Sequence, residues 1–355
     1  MSIQSKVNAV LKALDGAELR CTYNALADYC ETNMGVIIQC LGERRPIASW
    51  IVNKDSFKPS YYSRDQEHPH LYRHGRVITA SHELVTLLAH GNVVASPGVG
   101  AYSSQDLGPR ADKGVTCYGV DGCRGGWVYA SITADKVAFG TVTELTDLVD
   151  RARSGSPIFV DIPIGLRDSS GTGRKCDVEG RRLLRPHRTS SIFNAPIRAI
   201  LDEPQYEVAN EASKRLSGKG LTKQTFAIIP KIREVDQLMA ASTKAREMVR
   251  EVHPEVCFYG LSGSYPMAHN KKTKEGFQAR LDLLCRFLPG AQKAVEQALS
   301  HYPRKIVAAD DILDALVCAI TAQMSAYWKT VPAEPEKDSK GLAMEMVYCD
   351  MSGRR

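Results

Sequence analysis

Residues 307–322 read VAADDILDALVCAITA. Ile312, Leu313, Leu316, Val317, Ala319 and Ile320 leave little polar surface on any face, which predicts a helix built for the interior. Three carboxylates nevertheless stand at its start: Asp310, Asp311 and Asp314. Asp310 is placed to cap the helix, where negative charge interacts favourably with the N-terminal partial charge. Capping does not account for Asp314, four and three residues beyond Asp310 and Asp311, because like charges at those spacings repel. A buried carboxylate without a partner shifts its pKa rather than stay ionised. A bound divalent cation removes the conflict, provided that other segments supply further ligands.

Two upstream segments offer them. YGVDGCRGGW places Asp121 at a strand end, among glycines that allow a tight turn and the close approach of a ligand. IFVDIPIG places Asp161 in a nearly continuous apolar run, which suits a strand buried on both faces. VTCYGVDG, WVYASIT and KVAFGTV predict an antiparallel meander, TELTDLVDRARS a helix, and PIFVDIPIG a fourth strand. If the first and fourth strands are neighbours, Asp121 and Asp161 project at one end of the sheet, opposite the helix carrying Asp310, Asp311 and Asp314. Hard oxygen ligands of this kind suit Mg2+ or Mn2+. Two such ions hydrolyse a phosphodiester without any nucleophilic side chain. A further strand is expected near VCFYG, with His253 and Glu255 just before it; Glu255 adds an acid, and His253 either assists proton transfer or decorates a loop. A last strand is expected at AMEMVYCD, and residues 331–340 read as a Pro/Glu/Lys loop.

The 355 residues exceed what one compact domain usually holds, and a hydrophobic content of 43% is ordinary for a globular chain. The predicted division is 1–90, a Gly-, Ser- and Pro-rich linker at 91–114, and 115–355. No run of about 18 apolar residues is present to span a bilayer, and the first residues lack the apolar block of a secretory signal. A cytoplasmic protein without a membrane partner is expected. The ten cysteines are scattered without a CxxC pair or zinc-like His/Cys cluster, so neither a disulfide framework nor a zinc finger is predicted.

The net charge of +6 is concentrated: residues 165–250 hold 17 Lys and Arg against 10 Asp and Glu. A basic segment beside an acidic cluster attracts a polyanion that the acids then attack. Arg174, Arg182, Arg185, Lys219, Gln224 and Lys231 are the candidates to hold phosphate oxygens. Asp177, Glu179, Glu234 and Asp236 compete for those bases as ion-pair partners. Neither GTGRK nor SGKGLT completes the G-x-x-x-x-G-K-[ST] loop and no GxSxG occurs, which argues against a Walker ATPase and a serine hydrolase of that kind.

Before the linker, SKVNAVLKALDG, TYNALADYC and MGVIIQCLGERR predict three short helices, with ETN as a tight turn between the second and third. ASWIVNKDSFKPSYY reads as a hairpin. Helices followed by such a wing suggest a winged helix-turn-helix whose third helix enters the major groove, flanked by Arg44 and Arg45.

In order, GVDGCRGGWV, VDIPIGL, RKCDVEGRRLL, SSIFNAPIR, GKGLTKQTFAIIPKIREVD, EVHPEVCFYGL and AADDILDAL resemble the predicted RNase H-like nuclease family catalogued as domain of unknown function 429. The resemblance spans residues 115–350 and implies an RNase H-like mixed sheet, with acidic motifs at Asp121, Asp161, Glu255 and the Asp310/Asp311/Asp314 helix. That helix is also similar to the acidic final helix of Holliday-junction resolvases, whose DxxDA pattern supplies metal ligands. Residues 18–65 resemble the winged-helix DNA-binding part of alkylguanine-DNA alkyltransferases and their alkyltransferase-like relatives. The PCHR motif of those enzymes is missing, with ASWIVN in its place, so the resemblance implies DNA binding without alkyl transfer.

The expected fold is therefore α/β, an RNase H-like mixed sheet with flanking helices behind a small winged helix-turn-helix domain. The expected activity is cleavage of nucleic acid, DNA favoured over RNA, with Mg2+ or Mn2+ as cofactor. Asp121, Asp161, Glu255, Asp311 and Asp314 are the catalytic candidates, and Asp121, Asp161, Asp310, Asp311 and Asp314 the metal ligands. The rival readings are a phosphohydrolase or nucleotide-using enzyme on the same scaffold, and a non-catalytic DNA-binding regulator.

Overall fold

The computed structural model describes residues 2–72, 77–79, 81–89, 114–168, 173–186 and 188–352. The chain divides into two units, Met1–Gly100 and Ala101–Arg355. Apart from Gly114, the linker expected at 91–114 lies outside the described residues.

In the first unit, helices α1 (Ile3–Ala17), α2 (Tyr23–Cys30) and α3 (Met34–Leu41) each begin at a polar cap. The side chains of Ser2, Thr22 and Asn33 accept the backbone N–H groups of Ser5, Ala25 and Val36, satisfying donors that a helix start leaves free. Leu11, Leu14, Leu26, Ile37 and Trp50 fill the core between them. Strands β1 (Arg20–Thr22), β2 (Ile51–Val52) and β3 (Val77–Ile78) form a small sheet in the order β2-β1-β3, and α4 (Ser81–Ala89) follows. The hairpin expected over ASWIVNKDSFKPSYY is not formed. Pro46–Trp50 is a 3-10 turn, and Ile51–Val52 runs parallel to β1. The chain then curls at once: the Asn53 side chain accepts the N–H groups of Asp55 and Ser56, and Phe57 takes a left-handed φ of 53°. Such an Asx turn ends the strand after two residues.

The second unit follows the predicted meander. Strands β4 (Thr116–Cys123), β5 (Gly126–Thr133) and β6 (Lys136–Val142) pair antiparallel. Helix α5 (Leu145–Arg151) leads to β7 (Ile158–Val160), which lies parallel to β4 with Val120 opposite Val160. Helices α6 (Lys175–Leu183), α7 (Tyr206–Ser217), α8 (Lys223–Ala241) and α9 (Thr243–Met248) precede β8 (Val249–Glu251), which is parallel to β7. The result is a five-stranded mixed sheet, β6-β5-β4-β7-β8. Then come α10 (Pro254–Leu261), α11 (Lys274–Phe287), α12 (Ala291–His301), α13 (Ala309–Gln323) and a separate hairpin of β9 (Trp328–Lys337) and β10 (Ala343–Cys349). Because side chains alternate along a strand, the sheet feeds two cores. Cys117 and Phe159 pack on the α10–α13 side, whereas Val120, Ile158 and Val160 pack with residues of α5, α8 and α9.

Two expected elements differ. VCFYG lies in helix α10, and the strand is Val249–Glu251 just before it. A short apolar run does not distinguish the two states. Pro254 at the first helical turn sets the helix going. Gly260 then lets α10 lie on β10, since a Cβ there would sit 2.0 Å from the Cys349 carbonyl oxygen. The loop expected at residues 331–340 is largely strand β9, which passes through Pro332 and Pro335 in a two-stranded sheet, where edge positions tolerate proline. Among the described residues, no helix is long and apolar enough to cross a membrane.

Candidate active site

Gly119 decides how α13 meets the sheet. A Cβ there would lie 2.0 Å from the Ala319 nitrogen and 2.2 Å from the Ala315 oxygen, so only glycine lets the helix backbone rest on β4. Two residues along the same strand face stands Asp121, and one turn back along α13 stand Asp311 and Asp314. Asp161 follows β7 directly. Its N–H donates to the Val120 carbonyl at 2.9 Å, which extends the parallel pairing and sets it beside Asp121. The convergence expected of the first and fourth strands and the acidic helix is thus present in the backbone.

Each carboxylate feels the others. Burial, followed by the charges of Asp161 and Asp314, pushes the Asp121 carboxyl well above its ordinary range. Burial and the charge of Asp314 push Asp161 up to about 7, with Glu255 and Asp311 adding to it. Asp311 is raised to about 6, chiefly by burial and against the pull of the Ala308 N–H, which donates to its Oδ2 at 2.9 Å. The capping contact expected of Asp310 is therefore made by Asp311, because a carboxylate three residues into the helix can reach back over its start. Asp314 is 1% exposed.

The cation in this group is Lys271, which sequence reasoning did not single out. Its Nζ lies 2.5 Å from Asp314 Oδ2 and 3.4 Å from Asp310 Oδ2. In HNKKTKEGF nothing distinguishes Lys271 from the solvated lysines around it.

Glu255 sits in the first turn of α10. Its Oε1 accepts from the fully buried Arg280 at 2.6 Å, while its buried Oε2 has no partner among the described residues. His253 Nε2 is 3.2 Å from the Ser191 carbonyl oxygen, its Nδ1 has no partner among the described residues, and burial lowers its pKa. A cavity of about 20 Å3, room for about one water, is lined by Asp161, Arg174, Asp177, Glu251 and His253 among others. Hard carboxylate oxygens, one of them orphaned, match the donor set of Mg2+ or Mn2+.

A tighter group exists elsewhere. Among the described residues, Cys176, Asp177 and Glu251 bring donor atoms within 4.8 Å of one another; no three of the acids around Lys271 do so. The centre of the tighter group is filled by Arg174, which is 3% exposed. Its guanidinium donates to both Glu251 oxygens at 2.7 and 2.8 Å, to Asp177 at 2.6 Å and to the Ile164 carbonyl at 3.1 Å. Glu251 also accepts the Ile164 N–H, and Asp177 accepts that of Ala195. The RKCDVEG and FNAPIR segments thereby lock onto the end of β8.

Arg174 was expected to hold phosphate; burial with two carboxylates removes it from that role. Lys231 is likewise engaged, lying 4.3 Å over the Trp127 ring and donating to the Gly126 carbonyl. Glu234 accepts from Trp127 and from the Leu145 N–H, and Asp236 pairs with Arg198. Arg182, Arg185, Lys219 and Gln224 are exposed. In the first unit Arg44 and Arg45 are exposed just after α3, with Arg44 5.7 Å over the Tyr61 ring. Met34 and Ile38 present an apolar stripe on α3, 48% and 58% exposed.

No curated protein and no solved structure matches the chain significantly. The family described as "Protein of unknown function (DUF429)" matches residues 119–337, which carry the mixed sheet from the fourth residue of β4 onward, Asp121, Asp161, Glu255, Lys271 and the acidic helix. The chain belongs to that family.

Proposed function

We propose that the second unit is an RNase H-like, metal-dependent nuclease that hydrolyses phosphodiester bonds in DNA or RNA. In this reading the first unit is a winged-helix module that favours DNA, and the enzyme works in the cytoplasm. One observation carries the proposal: the ends of two neighbouring parallel strands and the start of a core helix bring Asp121, Asp161 and Asp314 to one face of the sheet. The sheet order, an antiparallel meander extended from its first strand by two parallel strands, supports the RNase H-like assignment.

Asp121, Asp161 and Asp314 would hold Mg2+ or Mn2+, with Asp310 and Asp311 adding negative charge at the rim. The bound ion supplies Lewis acidity at the phosphate and a more acidic water. Glu255, anchored through one oxygen by Arg280, would hold a water with its other oxygen. Exposed Arg182, Arg185, Lys219 and Gln224 offer contacts to the substrate backbone, as do Arg44 and Arg45 in the first unit.

Purified full-length protein with MgCl2 or MnCl2 should cut single- or double-stranded DNA or RNA, and Asp121→Asn should reduce cleavage to background with an unchanged circular-dichroism spectrum. Equal cleavage by wild type and variant would remove the assignment. A second reading, a non-catalytic DNA-binding protein, is favoured by the presence of Lys271 among the acids, where it supplies the positive charge from within the chain. DNA binding by mobility shift, with no cleavage of any of these substrates, would select it.

A further inference from the structure

Among the described residues, the Lys271 ammonium is the one cation in ion-pair contact with the aspartates of the acidic site. The segment that carries it, residues 262–273, is held by its backbone. Arg188 donates to the carbonyls of Met267 and Ala268 at 3.0 and 2.7 Å, and Arg280 donates to that of His269 at 3.0 Å. Gly276 rests against Asn270, where a Cβ would meet the Asn270 oxygen at 1.9 Å. Arg280 also grips Glu255, so one guanidinium fixes both the base of Lys271 and an acid of the site. The backbone therefore cannot withdraw easily, whereas the four-carbon lysine stem can swing. Its side chain is one-third exposed, so solvent lies within its reach.

The ammonium cannot share this site comfortably with a divalent ion. Two cations drawing on Asp314 repel each other at short range, and each needs the same carboxylate oxygens. We propose that Lys271 is an exchangeable internal cation, holding the acidic site together when no divalent ion is bound and swinging outward when one binds. The exchange would let the aspartates draw closer around the ion than they lie with Lys271 among them. This inference rests on the metal-binding part of the nuclease reading and adds to it a regulatory step: metal affinity is set by competition with a tethered ammonium.

The probe is Mn2+ itself. Calorimetric titration of EDTA-stripped, full-length protein should give a dissociation constant about tenfold lower or better for Lys271→Met than for wild type, since the competing charge is gone. In wild type, saturating Mn2+ should increase amine labelling of Lys271 relative to its neighbour Lys272, read by peptide mass spectrometry. Should Lys271→Met fail to fold, the labelling decides alone. Equal Mn2+ affinity in a folded variant, or unchanged Lys271 labelling at saturation, would overturn the exchange while leaving the nuclease reading in place. No Mn2+ binding by wild type or variant at millimolar concentration would remove the metal site beneath both.

Discussion

Two of the buried carboxylate groups in the second unit have opposite characters. Around Arg174, two carboxylates meet a guanidinium whose fork supplies paired hydrogen bonds to each need. Around Lys271, one ammonium serves Asp314 and Asp310 while Asp121, Asp161 and Asp311 press their charges on the same space. Burial is the largest cause of the raised Glu251 and Asp161 carboxyls, both at about 7, so desolvation does not separate them. The neighbours do: Arg174 compensates Glu251 directly, whereas the pull of Lys271 on Asp161 is set against the charges of Asp314, Glu255 and Asp311. A closed group locks the chain, and surplus negative charge is what a bound cation would neutralise.

The largest effect should come from breaking the closed group. Arg174→Ala leaves Asp177 and Glu251 buried without their partner and should cost about 3–5 kcal/mol, read as a lower urea midpoint. If the loss is negligible, the lock is misassigned and the contrast with it fails.

Next in size is the contact that holds the open group in place. Gly119→Ala sets a Cβ against the backbone of α13, which must shift, at a cost of about 1–3 kcal/mol. Because α13 carries Asp311 and Asp314, the same change should weaken Mn2+ binding. Thermal melts and calorimetry on one variant would report both, and an unaffected Mn2+ affinity would show that the site does not depend on this close approach.

The smallest effect is electrostatic. The folded pKa of Asp161 is raised from 3.8 to about 7, so its favourable contribution is complete below pH 3.8 and is lost as pH rises towards 7. In EDTA, stability should therefore decline over that window, and Asp161→Asn should flatten the decline. Mn2+ should flatten it too, because a bound cation favours the charged carboxylate. A pH profile identical in wild type and Asp161→Asn would mean that the acids are already balanced.

Much of this architecture was legible from short-range pattern. The meander, the helix after it and the fourth strand follow from alternation and from Gly and Pro punctuation, which are local properties of the chain. The acidic helix was legible for the same reason, because Asp314 contradicts its apolar surroundings. Where local signals were weak the reading slipped: VCFYG suits strand or helix, and the prolines of β9 disguise an edge strand.

The chain alone determined which carboxylates stand at strand and helix ends, since those positions are set by neighbours in sequence. Only the tertiary structure decided what became of each charge. Arg174 and Lys231 read as phosphate ligands until the fold enclosed one between two carboxylates and laid the other over Trp127. Lys271 read as an ordinary surface lysine until the fold brought it onto Asp314, 43 positions away. Coulomb energy and desolvation depend on distance and burial in space, and sequence spacing carries neither across a fold.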